Sequence, residues 1–229
     1  MKIATLNIDW ALKAGKSRIE AFLTQQDFDF LILTEAIDLN LKNFKFKYHS
    51  KPIPENIEYE GLNYTQYLNG EKAYRSIIYS KSPSVKKYNV VDDKTSLALE
   101  FETEYGNLVI YATIIGTRFR TKPFVTNELE NCIKDCQKIS ETNPNLIIIG
   151  DLNTSFLDDE KQFSISGKTT QSLQSLFKDL NLVNATENIT QNIDHIIIPN
   201  LLTNNKIDTN VFVEKNMLSD HKGLFISIY

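Results

Sequence analysis

The sequence predicts an α/β chain built on two stacked sheets, with helices on the outer faces. Three observations lead there. Strand-like segments outnumber helical ones, about eight or more against three. Their order does not alternate strand with helix, as a doubly wound fold requires. Several strands are short continuous apolar runs, the pattern of strands buried on both faces.

Taken in order, KIATLNI (2–8) alternates apolar and polar residues and reads as a strand. Ser17 and Glu20 have the spacing of a capping box, which predicts a helix burying Ile19, Ala21, Phe22 and Leu23. FDFLILT is a buried strand that ends at Glu35. FKFKY (44–48) alternates and predicts a half-exposed strand, its lysines protecting an edge. Residues 52–72 read as a long polar loop. Strands follow at 75–81, 95–103 and 107–115. Pro123 can open a helix, because its missing N–H would be unpaired there anyway. Val125, Leu129, Cys132, Ile133, Cys136 and Ile139 fall on one face of that helix, and Pro144 stops it. LIIIG (146–150) is another buried strand, and 154–170 reads as loop. Leu173, Leu176, Phe177 and Leu180 mark a further amphipathic helix. Strands at 193–199, 209–215 and 223–229 complete the chain. No repeat or flexible linker interrupts 1–229, so the expectation is a single domain.

Composition removes several function classes. With 229 residues, 41% of them hydrophobic and a net charge of −4, the chain is neither disordered nor a small disulfide scaffold. It has no run of roughly 18 apolar residues that could span a membrane. Asn7 and Asp9 interrupt the N-terminus where a secretory signal would stay apolar. Cys132 and Cys136 read as buried apolar residues of a reducing compartment, so the expected location is the cytoplasm. A pI near 5.5 argues against non-specific coating of nucleic acid but allows an enzyme that grips a few phosphates. The 25 basic residues include only 4 arginines, which draws attention to each of them.

Polar residues gather at strand ends. Asn7 interrupts the first strand, Glu35 ends the next, and Asp151 and Asn153 follow LIIIG. Asp194 and His195 open III, and Asp220 and His221 precede the last strand. A carboxylate at the end of an apolar strand is costly unless it is paired, hydrogen-bonded or metal-bound. One such residue is a cap or turn; a set spread over the whole chain calls for a site. Oxygen donors without a Cys/His cluster point to Mg²⁺, with Mn²⁺ as a substitute, rather than to zinc. Such a cation, with carboxylate, amide and imidazole groups, suits hydrolysis of a phosphate ester.

The segments ATLNI, LILTEA, IIIGDLNTS, NIDHIII and LSDHKGLFI, in this order from residue 4 to 226, resemble the endonuclease/exonuclease/phosphatase superfamily. The resemblance implies a DNase I-like, four-layer α/β/β/α sandwich with its active site at one edge of the sheets. It implies that Glu35 is the principal metal ligand, with Asn7 beside it and Asp220 in support. It further implies that Asp151 orients or deprotonates the attacking water, that Asn153 holds phosphoryl oxygens, and that His221 donates to the phosphate. Asp194 would fix the tautomer of His221. His195 reads as structural and His49 as a surface residue. The family's usual Tyr or His on a central strand is missing from IYATIIGT; Thr113 is taken to stand there, and Arg118 or Arg120 to supply the lost phosphate contact.

These readings predict a metal-dependent phosphodiesterase, foremost a nuclease acting on DNA or RNA. A phosphatase of inositol or other small or lipid phosphates is the alternative, and a non-catalytic binding module the third. The loops 49–74 and 154–170 are expected to set specificity.

Overall fold

The computed structural model describes residues 1–53, 58–59, 62–63, 71–117 and 124–229. The strands are β1 (Lys2–Asn7), β2 (Phe30–Ile37), β3 (Phe46–His49), β4 (Glu58–Tyr59), β5 (Leu62–Asn63), β6 (Ala73–Ser80) and β7 (Lys86–Tyr88), then β8 (Leu97–Thr103), β9 (Gly106–Ile114), β10 (Leu146–Asp151), β11 (Leu182–Asn184), β12 (Asp194–Pro199), β13 (Ile207–Val213) and β14 (Gly223–Ile228). The α-helices are α1 (Lys16–Thr24), α2 (Phe124–Ser140) and α3 (Gly167–Asp179).

Among the described residues, two six-stranded sheets run β13-β14-β1-β2-β6-β3 and β11-β12-β10-β9-β8-β7, and β4-β5 forms a separate ribbon. Each large sheet is antiparallel except for one central parallel pair, β1 with β2 and β10 with β9.

The period-2 alternation of side chains builds the layers. In the first sheet Ile3, Ile32, Ile78 and Ile226 face inward, against Leu99, Ile110, Ile147, Ile149 and Ile196 of the second. Their neighbours Ala4, Leu6, Leu31 and Leu33 face outward onto Ile19 and Leu23 of α1. On the far side, Val109, Tyr111 and Ile148 pack on Cys132, Cys136 and Ile139 of α2 and on Leu173 and Leu176 of α3. The result is the expected α/β/β/α sandwich. Truncating a central inward residue such as Ile149 to Ala would cost about 2–5 kcal/mol.

Several local expectations change. The helix α1 starts one residue before Ser17, with Gly15 as its N-cap and no side-chain cap. Glu20 is diverted, because its Oε1 accepts the backbone N–H of Asn40 at 2.7 Å. The strand β2 continues to Ile37 rather than stopping at Glu35. The edge strands β7 and β11 have three residues each, too few to show a period. The segment read as loop at 154–170 contains a 3-10 helix, Asp158–Phe163, and the start of α3, where the Ser166 hydroxyl caps the N–H of Thr169. Lys47 pairs with Asp38 at the edge of β3, in keeping with edge protection. Pro123 and most of the 52–72 loop lie outside the described residues.

Candidate active site

In both sheets the central strands are parallel, so their carboxyl ends emerge on one edge. Open sheets place ligands outside such ends. The side chain of Asn7 joins the two sheets there: its Nδ2 donates to Glu35 Oε2 at 3.2 Å and to Asp151 Oδ2 at 3.0 Å. Its Oδ1 accepts the backbone N–H of Asp9 at 2.9 Å.

Backbone conformation sets these groups. Glu35 sits at φ +43° within β2, a left-handed geometry that costs a non-glycine residue about 1–3 kcal/mol. Asp9, Trp10, Ala11 and Asn153, at the same edge, also have positive φ. Strain of this kind persists where surrounding structure enforces it. Gly150 precedes Asp151 at φ +133°, and a Cβ there would lie 2.1 Å from the carbonyl oxygen of Thr113. Only glycine lets β10 approach β9 so closely.

Two amides hold Asp151. Asn153 donates from Nδ2 to Oδ2 at 3.0 Å and from its backbone N–H to Oδ1 at 2.9 Å. The carboxyl is buried, and burial together with the Asp194 and Glu35 charges pushes its pKa well up against the opposing pull of His221. At the start of β12, Asp194 is fully buried, and its Oδ2 accepts from His221 Nδ1 at 2.6 Å. Burial disfavours a charged His221. The Asp194, Asp151 and Asp220 carboxylates overcome it and push the imidazole up to about 10. At neutral pH His221 is therefore an imidazolium, with Nδ1–H donating to Asp194 and Nε2–H left over.

Asp220 is exposed at the rim, accepts from the Ser219 hydroxyl at 3.2 Å, and lies 3.9 Å from His221 Nε2. Burial, and the Asp9 and Asp220 charges behind it, push Glu35 up to about 7, although His221 and Asn7 pull the other way. Asp9 itself is raised by burial and then by Asp220. The sequence reading passed over Asp9. The signal was available, since Asn7-x-Asp9 after a strand mirrors Asp151-x-Asn153.

This donor set suits a divalent cation. Asp194 Oδ1 is buried without a hydrogen-bond partner, and the carboxylates raise one another's pKa. Ligand atoms of Asp151, Asp194 and His221 lie within 4.8 Å of one another. Carboxylate and amide oxygens match a hard cation.

One expected contributor falls elsewhere. In the β9–β10 ladder, Ile114 is the partner of Asp151, and Thr113 is the partner of Gly150. Thr113 continues the outward series of Val109 and Tyr111, and its hydroxyl is 2.8 Å from Ser96 Oγ. It serves a buried hydroxyl chain that runs through Ser96 and Tyr111 to Asp135, not the phosphate position. The register of two strands remote in sequence decides this. Arg118 and Arg120 lie outside the described residues.

His195 is a fully bonded core residue. Its Nε2 donates to Thr154 O at 2.8 Å, and its Nδ1 meets Asn184 Nδ2 and Thr186 Oγ1 at 3.1 Å each. Burial holds its pKa down at about 4. His49 packs on the ring of Tyr74.

The described residues contain no helix long and apolar enough to cross a membrane. Among solved structures, the chain is similar to a 3' phosphatase from Neisseria bound to a product DNA hairpin, with a TM-score of 0.69, 16% identity, and coverage of 100% of this chain and 99% of that one. It is also similar to a 3'-5' exonuclease from Neisseria meningitidis, with a TM-score of 0.68, 15% identity, and coverage of 100% and 99%. The endonuclease domain of TRAS1, a telomere-specific non-LTR retrotransposon, has a TM-score of 0.67 and 13% identity, with coverage of 99% and 97%. No curated protein sequence matches it. The model of the Endonuclease/Exonuclease/phosphatase family matches residues 4–221, a span that takes in every strand-end residue from Asn7 to His221. The chain belongs to that family, and it is a hydrolase acting on phosphate esters.

Proposed function

We propose that the chain is a Mg²⁺-dependent phosphodiesterase that hydrolyses a polynucleotide. One observation carries the reading: Asn7, Glu35, Asp151, Asn153, Asp194 and His221, drawn from both sheets, form one continuous hydrogen-bonded edge, apart from the Asp151–Asp194 step, which is electrostatic.

Glu35 and Asn7 would hold the cation, supported by Asp220 and Asp9; when bound, it supplies Lewis-acid stabilisation of charge on the phosphoryl oxygens. Asp151 is the acceptor for the attacking water, kept in place by the Asn7 and Asn153 amides. Asn153 and the free Nε2–H of His221 donate to phosphoryl oxygens as charge grows on them. Asp194 fixes His221 through Nδ1, so that Nε2 is the donor presented to substrate.

The Neisseria neighbours, one described as an exonuclease and one as a 3' phosphatase bound to DNA, support a nucleic-acid substrate. They also motivate a second reading, removal of a terminal phosphate from a strand end. Product release would be measured from single- and double-stranded DNA, RNA, an abasic duplex, a 3'-phosphorylated oligonucleotide, inositol phosphates and bis-p-nitrophenyl phosphate, in Mg²⁺, Mn²⁺ and EDTA. Metal-dependent chain cleavage that disappears in Asp151→Asn is expected. Turnover confined to monoesters would transfer the assignment to a phosphatase. No turnover of any substrate would reject catalysis by this site.

A further inference from the structure

The loops that meet beside His221 carry a pattern the chemistry above does not use. Lys13 follows the turn after β1, while Lys215 and Lys222 flank the Ser219–His221 segment. Each lysine reaches across a different seam. Lys13 Nζ donates to Asn216 Oδ1 at 2.6 Å. Lys215 Nζ lies 5.7 Å from the centre of the Phe163 ring, on the segment after Asn153. Lys222 Nζ donates to Thr190 O at 2.9 Å, in the loop that leads to Asp194.

Among the described residues, none of these three lysines lies within 4.0 Å of a carboxylate, although Lys13 acts on Asp9 through space. On the Glu35 side Lys16 pairs with Glu71, Lys47 with Asp38 and Lys51 with Asp93. Three lysines free of a close ion pair therefore lie on the His221 flank of the edge, beside the carboxylates of Asp9 and Asp220.

A second observation sits on the same flank. Leu12 and Met217, next to Lys13 and between Lys215 and Lys222, expose 45% and 42% of their surface. A turn closed by Asn216 N–H to Ser219 O at 2.7 Å presents Met217, and Asn216 adopts φ +72° to make it. An inositol phosphate would need the cations alone. A polynucleotide strand offers both kinds of surface, regularly spaced phosphates and apolar faces of sugar and base. A lipid bilayer fits less well, since two half-exposed side chains fall short of an inserting apolar face and the chain carries a net charge of −4.

We propose that this flank is an amphipathic lip for one polynucleotide strand, on which Lys13, Lys215 and Lys222 take backbone phosphates and Leu12 and Met217 pack on sugar or base. The proposal rests on the nuclease reading above and adds the residues that make the site prefer a polymer.

The test compares an oligonucleotide with bis-p-nitrophenyl phosphate, which needs only the reacting centre. The variants are K13Q/K215Q/K222Q and L12S/M217S, each assayed in Mg²⁺ from 50 to 200 mM salt. The triple variant should raise the oligonucleotide KM about tenfold or more at low salt and flatten the slope of log affinity against log salt by about 2–3. The double variant should raise that KM about three- to tenfold without changing the slope. Both should keep kcat/KM for the small ester within about twofold.

An oligonucleotide KM and salt slope unchanged in the triple variant would overturn the lip and leave the nuclease reading standing. Equal losses on both substrates would also overturn it, by showing that these residues support the fold. Wild-type turnover confined to the small ester would sink the nuclease reading, and the lip with it. Binding to phosphatidylcholine/phosphatidylserine vesicles that is lost in L12S/M217S would assign the lip to a membrane and overturn the proposal.

Discussion

The Glu35 corner and the His221 corner share one edge and treat buried negative charge in opposite ways. At the His221 corner, Asp194 is matched by an imidazolium 2.6 Å away whose pKa is pushed up to about 10. That corner carries its own countercharge. At the Glu35 corner the contacts are amides and further acids, and burial pushes the carboxyl up to about 7. There the His221 imidazolium acts on Glu35 only through space, and among the described residues no cation is hydrogen-bonded to Glu35. The contrast teaches that one corner carries a countercharge of its own, whereas the other leaves its carboxylates to a cation.

Asp151, between the two corners, gives the largest expected effect. Asp151→Asn preserves the shape and, through its one remaining oxygen, both side-chain amide contacts; it gives up the contact to the Asn153 backbone N–H and removes the acceptor for water, so turnover should fall about 10³-fold. Circular dichroism and Tm should stay near wild type. Turnover within tenfold of wild type would show that the two corners do not share Asp151.

Glu35→Gln should weaken cation binding at least about 100-fold, beyond what loss of an outer partner does. The pH dependence sharpens this. The folded pKa of Glu35, about 7, lies above its ordinary 4.5, so the cation-free protein is favoured at low pH and loses that stability as pH rises from 4.5 through 7. Protons compete with the cation, and affinity should fall about tenfold per pH unit below 7. The Mg²⁺-induced rise in Tm should therefore grow between pH 5.5 and 7.5 in the wild type and be absent in Glu35→Gln. A rise of equal size in both proteins would place the cation at the other corner.

Asp194→Asn removes the countercharge of His221. The stability this imidazolium gives the fold is fully present below its ordinary pKa of 6.5 and is lost as pH rises through about 10. In the variant that loss should come at lower pH, with turnover down about 10- to 100-fold at pH 7. NMR titration of His221 would read the shift directly. An unmoved pKa would mean that Asp151 and Asp220 alone hold the proton.

The smallest effect on turnover is expected at His195, which lies next to Asp194 but points to the opposite face. His195→Leu leaves Thr154 O and Asn184 Nδ2 without their partner and should cost about 1–3 kcal/mol. Activity per folded molecule should be unchanged. A selective loss of kcat would bring His195 into the site.

Much of this was legible in the chain. The apolar runs that became β2, β9, β10 and β12 announced strands buried on both faces, and polar residues at their ends announced an edge with chemistry. The Ser17–Glu20 signal misled because tertiary contact with Asn40 claimed Glu20. Short edge strands such as β7 and β11 carried no period to read.

By itself, the sequence determined the layer order, the residue types at the edge and the oxygen-rich donor set. These follow from local periodicity and side-chain chemistry, which need no partner strand. Only the tertiary structure decided which end-of-strand groups face one another. Register between β9 and β10 puts Ile114 beside Asp151 and turns Thr113 to the helical side. The left-handed backbone at Glu35, inside β2, and at Asp9, just after β1, makes the corner. The difference between the two corners is decided there as well, because burial and the distance between charges are properties of the fold and set which carboxylates are paired and which await a cation.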